Sequence, residues 1–281
     1  MGVLNVTPDS FSDGGEHFSS AAHPQRAIQD GLRLLHEGAD ILDIGGESTR
    51  PGAQTGARGV SEQEELLRVL PVVEGVLKQR RDALLSIDTY KAAVARAAVE
   101  SGAEIVNDVS AGRWDPLMLA TVAKLECGVV LMHMRGTPAE WRKLPLIGGD
   151  ELLALVSREL QTWTAAAVGA GVSRERIVLD PGFGFGKNFK ENYPLLARLG
   201  ELSKLGFPLL AGTSRKGFIG RTLAHAGKDA AVSERLYGTI AAVTASILQG
   251  AHMVRVHDVK PALEAARIAD AIVNSAAVSR E

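Results

Sequence analysis

Residues 83–107 read ALLSIDTYKAAVARAAVESGAEIVN. An apolar run, Ala83–Ile87, ends at Asp88. Thr89 then precedes an alanine-rich stretch, Lys91–Ser101, which Gly102 closes, and a second apolar run, Glu104–Val106, ends at Asn107. The two runs are short and rich in Val, Ile and Leu, as strands buried on both faces should be. The stretch between them carries a helix start signal in Thr89 and a stop signal in Gly102. Strand, helix, strand in this order implies two parallel strands joined by a right-handed crossover.

Outward from this segment the same unit recurs. Further apolar runs are Gly2–Leu4, Ile41–Leu42, Val129–Met132, Ile177–Leu179, Pro208–Ala211 and Met253–Val256. Between them, Ser61 with Glu64 forms an S-x-x-E capping box ahead of Leu66, Leu67 and Leu70. Asp115-Pro116 is predicted to be an N-cap and first helical residue, and Pro71 is expected to kink its helix. This makes about eight units of roughly 35 residues, the pattern of an α/β protein of the (β/α)8 barrel type. An open doubly wound sheet is the alternative, but no G-x-G-x-x-G follows the first strand. The 281 residues would allow one large domain or two small ones. With no Pro/Gly/Ser-rich linker, low-complexity tract or charge run, one barrel domain over 1–281 is expected.

Charge is nearly balanced, 31 Lys plus Arg against 33 Asp plus Glu, so a general nucleic-acid or polybasic membrane binder is not expected. The 46% hydrophobic and 23% charged content is that of a folded globular chain. No window approaches the ~18 uninterrupted apolar residues of a membrane span, and no basic region with an apolar run opens the chain. Cys127, the single cysteine, suits a reducing compartment, hence a cytoplasmic location. The 30 glycines cluster in turns after the apolar runs.

A barrel of this type carries its site at the C-terminal strand ends. In order these are Asn5, Asp43, Asp88, Asn107, His133, Asp180, Ser214 with Arg215 and Lys216, and Arg255 with His257. One Asp at a strand end is ordinary turn chemistry; a complete ring of polar ends is harder to explain that way. Arg255 and His257 stand at i and i+2 of the last strand and face the same way. With Thr213–Gly217 after the seventh strand they predict an anion site, phosphate or pyrophosphate, the competing reading being a structural salt bridge to Asp258. The loops 5–15, NVTPDSFSDGG, and 45–55, GGESTRPGAQT, read as mobile lids over the mouth, with Phe11 and Arg50 their most chemically telling residues. Residues 180–187, DPGFGFGK, are not a Walker A loop, the glycine spacing being one short and Asn188 standing in the Ser/Thr place. Phe183 and Phe185 read as apolar walls beside Asp180. No H-E-x-x-H, cysteine metal spacing or G-x-S-x-G elbow is present.

Taken together, MGVLNVTPDSFSDGG at 1–15, DIGGESTRPG at 43–52, SIDT at 86–89, IVND at 105–108, MHMRGTP at 132–138, DPGFGFGK at 180–187, TSRKGFIG at 213–220 and RVHDV at 255–259 resemble the dihydropteroate synthase family, in family order across nearly the whole chain. The resemblance implies condensation of p-aminobenzoate with 6-hydroxymethyl-7,8-dihydropterin diphosphate, with loss of pyrophosphate before the aniline nitrogen attacks. It implies pterin binding by Asp88, Asn107, Asp180 and Lys216. Asp180 would accept from the guanine-like pterin edge, and Asp88 would stabilise positive charge at the reacting methylene. Asn5, Arg255 and His257 would bind diphosphate, with Asn5 also a Mg²⁺ ligand beside phosphate oxygens and water. Phe11, Thr49, Arg50, Pro51, Phe185 and Lys216 would form the p-aminobenzoate pocket, with Asp13 and Arg50 joining Asp88 and Lys216 in catalysis and Asp43 orienting Asn5 or Arg50. The resemblance further implies sulfonamide competition, small-molecule partners and a homodimer. Relatives usually carry a hairpin ahead of the first strand. Here Met1-Gly2 opens directly in that strand, so an upstream start or a differently closed barrel bottom is expected. The competing readings are a methyltetrahydrofolate:corrinoid-type methyltransferase, which should lack the two lid motifs and TSRK, and a non-catalytic pterin-binding paralogue.

Overall fold

A computed structural model describes residues 1–7, 24–47 and 59–278. The described elements are β1 (Gly2–Asn5), α1 (Pro24–His36), β2 (Ile41–Gly45), α2 (Glu62–Gln79), β3 (Leu84–Asp88), α3 (Ala92–Glu100), β4 (Ile105–Asp108), α4 (Met118–Leu125), β5 (Gly128–Met132), α5 (Gly149–Gly169), β6 (Ile177–Asp180), α6 (Phe189–Ala197), β7 (Leu210–Ala211), α7 (Gly217–Thr222), α8 (Leu236–Leu248), β8 (Met253–Val254) and α9 (Val259–Val278). Strand and helix alternate as the apolar runs predict, the element order of a (β/α)8 barrel. The chain forms two compact units, Met1–Leu131 with Ala165–Ile177, and Met132–Thr164 with Val178–Glu281.

In the first unit β1, β2, β3, β4 and β5 pair in chain order, all parallel. The ladder is in register: Asn5 pairs Gly45, Gly45 pairs Asp88, and Asp88 pairs Asn107. Side chains alternate with period two, so this register sorts the strand residues onto two faces. One face carries Val3, Asn5, Asp43, Gly45, Ser86, Asp88, Ile105 and Asn107. The other carries Leu4, Leu42, Ile44, Leu85, Ile87 and Val106, all buried. Helices cover the apolar face: Gly31 of α1 lies against Leu4, Leu42 and Val76 of α2.

In the second unit β7 pairs β8 in parallel, Leu210 with Met253 and Ala211 with Val254. A parallel bridge, Leu179 to Leu209, joins β6 to the residue before β7.

One helix start departs from expectation. α4 begins at Met118 rather than Pro116. The Asp115 carboxylate is shared: one oxygen accepts from Leu117 N (2.9 Å), the other from Ala92 N (2.7 Å) at the start of α3. Capping α3 as well as its own turn holds residues 115–117 out of the helix. α2 runs on through Pro71. Ser61 caps it, its hydroxyl accepting from Glu64 N (3.2 Å). The Glu64 carboxylate is held by Arg68, which also donates to Gly46 O (2.7 Å) and so ties α2 to the end of β2. Gly102 closes α3 as expected, with φ +109° and its N–H on Val99 O (2.9 Å).

Candidate active site

The polar face of the first unit carries the strand ends Asn5, Asp88 and Asn107. Asn5, Asp88 and Asn107 lie in one row across β1, β3 and β4, with Gly45 of β2 between Asn5 and Asp88. A side chain at position 45 would meet Asp88: a Cβ there would stand 3.4 Å from the Asp88 Cβ and 3.6 Å from its Oδ2. Asp43 lies one pleat below, fully buried, and accepts from Asn107 Nδ2 (3.0 Å). That bond fixes the Asn107 amide, whereas the sequence pointed to Asn5 or Arg50 as the groups Asp43 would orient. Asp108, next along β4, serves its own turn, accepting from Ser110 N (2.7 Å), Ser110 Oγ (2.8 Å) and Gly112 N (2.6 Å).

The second unit groups charged side chains around Asp180. Its carboxylate is 5% exposed and accepts from Gly182 N (2.7 Å). Burial pushes its pKa up, opposed by the Gly182 N–H and by the charges of Lys216, Lys187 and Arg255. Gly212, directly after β7, leaves room between Asp180 and Arg255, a Cβ there standing 3.7 Å from Asp180 Oδ2 and 4.0 Å from Arg255 Cβ. The Lys216 ammonium sits 4.0 Å over the Phe185 ring, and Trp141 packs its edge at 5.5 Å on the same ring. Lys216 and Phe185 therefore form one cation–aromatic unit.

The anion-site residues separate into two classes. Arg215 binds Asp258 with two parallel bonds, Nε to Oδ2 (2.9 Å) and Nη2 to Oδ1 (2.5 Å). The structural salt bridge feared for Arg255 thus belongs to Arg215. The Arg255 backbone is held by Ala211 O (3.1 Å) and its charge bears on Asp180. Ser214 Oγ accepts from His257 N (3.2 Å) and lies 3.0 Å from His257 Nδ1. These two contacts fix the His257 ring beside Ser214.

Phe11, Asp13, Thr49, Arg50 and Pro51 lie outside the described residues. Two clusters near these motifs were not singled out from sequence. In the first unit the Lys91 ammonium bridges Glu47 (2.5 Å) and Glu65, and Tyr90 OH donates to Glu47 (3.1 Å). Burial opposes the Lys91 charge, but the two carboxylates hold its pKa above the ordinary value. This fixes Glu47, the last described residue of the GGE turn. In the second unit Lys187 and His133 bond each other across 54 residues (2.9 Å). Lys187 was visible in sequence only as the end of a failed Walker A match, and His133 as a strand end. Cys127 is buried, and burial raises its pKa, which suits an inert core thiol.

Among the described residues no group of three His, Cys, Asp or Glu could hold a metal ion. Asn5 supplies one hard oxygen donor at the half-buried end of β1. That fits a Mg²⁺ that keeps water and takes most of its remaining ligands from substrate phosphate.

Comparison with known proteins identifies the family. The family described as "Pterin binding enzyme" matches residues 1–257. The dihydropteroate synthase of Escherichia coli K12 is 44% identical over 275 residues, 98% of this chain and 92% of that protein. The solved Xanthomonas albilineans dihydropteroate synthase with 4-aminobenzoic acid is 45% identical, with a TM-score of 0.84 over 96% of this chain and 91% of its own. The same enzyme in complex with 7,8-dihydropteroate gives 42% identity and a TM-score of 0.81, over 96% of this chain and 92% of its own.

The segment 180–187 depends on glycines that no other residue can replace. At Gly186, φ is +65° and a Cβ would fall 1.9 Å from Arg135 O, a backbone atom with nowhere to go. Gly186→Ala should cost more than ~2 kcal/mol of stability, read from urea unfolding, through left-handed strain plus a backbone clash. A loss below ~0.5 kcal/mol would contradict the tight packing of this segment.

Proposed function

The chain belongs to the pterin-binding enzyme family, among the dihydropteroate synthases, and on that premise we propose that it joins p-aminobenzoate to 6-hydroxymethyl-7,8-dihydropterin diphosphate as a single barrel domain over 1–281, releasing 7,8-dihydropteroate and pyrophosphate. The observation that carries this reading is the buried Asp180 carboxylate facing the charges of Lys216, Lys187 and Arg255. A carboxylate there accepts the two N–H groups of a pterin edge, and the cations nearby oppose the rise in its pKa that burial causes. The cation over Phe185 supports an aromatic ring of p-aminobenzoate beside it.

The pterin is held by Asp88, Asn107, Asp180 and Lys216. Asp43 supports this by fixing the Asn107 amide so that its donor and acceptor keep one orientation. Pyrophosphate leaves first, and the cation left on the pterin methylene is stabilised by Asp88, a preorganised negative charge that costs no rearrangement when the bond breaks. Arg255 and His257 take up the charge of the leaving diphosphate. Mg²⁺, with Asn5 as protein ligand, would neutralise phosphate charge when bound. Phe11, Thr49, Arg50, Pro51, Phe185 and Lys216 close around p-aminobenzoate, and Asp13 and Arg50 complete the catalytic set. The two lid motifs and TSRK favour this reaction over corrinoid methyl transfer, and the presence of Asn5, Arg50, Lys216 and Arg255 favours an active enzyme over a silent binder.

The partners are small molecules and a second copy of the chain. Exposed apolar residues Tyr237 and Leu248 on α8 and Ile268, Ile272 and Val273 on α9 support dimerisation through the last two helices. A cytoplasmic location is supported by the single buried free cysteine. No helix among the described residues is long and apolar enough to cross a membrane.

A coupled assay should detect pyrophosphate release that requires the pterin diphosphate, p-aminobenzoate and Mg²⁺; folded protein with no release above background would sink the reading. Asp180→Ala should abolish pterin binding in calorimetry. In the parent, pterin affinity should fall on acidification at a pH above the ordinary aspartate range, because burial raises the Asp180 pKa and the protonated acid cannot accept both N–H groups. Arg255→Ala should weaken the diphosphate substrate at least ~10-fold more than the free pterin alcohol, the loss expected of one charge-assisted bond. Equal losses for both would refute the anion site. Light scattering should give twice the 29.7 kDa chain mass; a single-chain mass would refute the dimer.

A further inference from the structure

The second unit contains a line of ionisable groups that runs on from Lys187 to His133 and Glu159, two residues for which the reaction above has no use. Lys187 is 6% exposed, and its ammonium lies within hydrogen-bond distance of four acceptors: His133 Nδ1 (2.9 Å), Gly182 O (2.9 Å), His133 O (3.2 Å) and Phe185 O (3.2 Å). An ammonium only donates, so Nδ1 must accept, and the proton of a neutral His133 sits on Nε2. Nε2 in turn is 3.0 Å from Glu159 Oε2, whose side chain is 35% exposed on α5. Trp163 stacks on the imidazole at 5.3 Å and 21°, which holds the ring with its two nitrogens pointing at the two partners. A wholly buried amine is thus connected to solvent through one imidazole and one carboxylate.

We propose that Lys187, His133 and Glu159 form a proton path to solvent, and that the charge on Lys187 positions the 182–185 backbone that presents Phe185 beside Asp180. The balance is simple. One Lys187 Nζ–H moves to His133 Nδ1 as the Nε2 proton moves to Glu159 Oε2, and Glu159 passes it to water. The amine is left neutral with two hydrogens, the imidazole in its other tautomer, and Glu159 again a carboxylate. The neutral amine spends its lone pair on the Nδ1–H, so the three carbonyls share two hydrogens as they did with the ammonium, but those bonds lose the positive charge that strengthened them. Gly182, whose N–H holds Asp180 and whose carbonyl binds Lys187, and Phe185, whose ring lies under Lys216, are the residues whose ties loosen.

The setting makes this titration accessible near neutral pH. Burial is the main cause that brings the Lys187 pKa down to about 7. Asp180 and Glu191 raise it, and Lys216 and Arg135 lower it. Arg135 is itself paired to Glu191 (3.0 Å), so these two partly cancel. Glu159 acts through His133 and favours the charged amine.

Lys187 can be followed by NMR of labelled lysine in the ligand-free protein, with Lys187→Met identifying its signal. The positioning role rests on the reaction proposed above, whereas this titration does not. Glu159→Gln keeps an acceptor for Nε2 but removes the negative charge, so the Lys187 midpoint should fall by about half a pH unit. His133→Asn keeps a partner for Nζ but cuts the link to Glu159, and adding Glu159→Gln to it should then shift the midpoint no further. Under assay, KM for p-aminobenzoate should rise as pH increases through the Lys187 midpoint, and that rise should move with the midpoint in Glu159→Gln while kcat changes less. A merely structural lysine would not move the pH profile. An unchanged Lys187 midpoint in Glu159→Gln overturns the path. A shifted midpoint with an unshifted KM profile overturns the positioning role. No activity in the parent, with the NMR shift intact, overturns the proposed reaction and leaves the path standing.

Discussion

The in-register parallel ladder of the first unit is the constraint on which its chemistry depends. Because side chains alternate along a strand, pairing Asn5 with Gly45, Gly45 with Asp88 and Asp88 with Asn107 sends Asn5, Asp43, Asp88 and Asn107 to one face and Leu4, Leu42, Ile44, Leu85, Ile87 and Val106 to the other. A slip of one residue would point Asp88 and Asn107 at the helices and Ile87 and Val106 at the polar face. The burial of Leu42, Ile44, Leu85 and Ile87 under α1 and α2 is therefore what holds the polar row in place. Each fully buried side chain of this kind contributes ~1.5–3 kcal/mol, so the register is specified many times over.

Within the second unit the corresponding constraint is electrostatic. Asp180 is buried deeply enough to favour its neutral form, and cations from three separate stretches of chain act against that. The same stretch spends Arg215 on Asp258, so the cations of TSRK have different destinations although they are adjacent in sequence. Left-handed backbone at Arg215, φ +56°, turns successive side chains in different directions and gives adjacent residues separate tasks.

Much of this was legible in the sequence because it is local. Each expected strand matches an observed one to within a few residues, and at β1, β3 and β6 the strand extends to include the polar end, since backbone pairing does not stop where hydrophobicity does. The Ser61 cap and the Gly102 stop are also local signals. What escaped was pairing at a distance. Asp115 caps a helix 23 residues earlier, Glu47 is held by a lysine 44 residues on, and His133 meets Lys187 across 54. Spacing along the chain carries no trace of such contacts. The motif 180–187 was correctly distinguished from a Walker A loop, yet the role of its lysine depends on a histidine brought in by another strand. The family resemblance supplied what spacing could not, a set of residues expected to act together although far apart.

The shared carboxylate of Asp115 has a consequence for how the first unit comes apart. One side chain satisfies the open N–H of Ala92 at the head of α3 and that of Leu117 just before α4. Neither helix start can fray without exposing the group that the other relies on. The two starts therefore belong to one cooperative opening unit, and their amide hydrogens exchange with solvent through a common event rather than as two independent frayed ends.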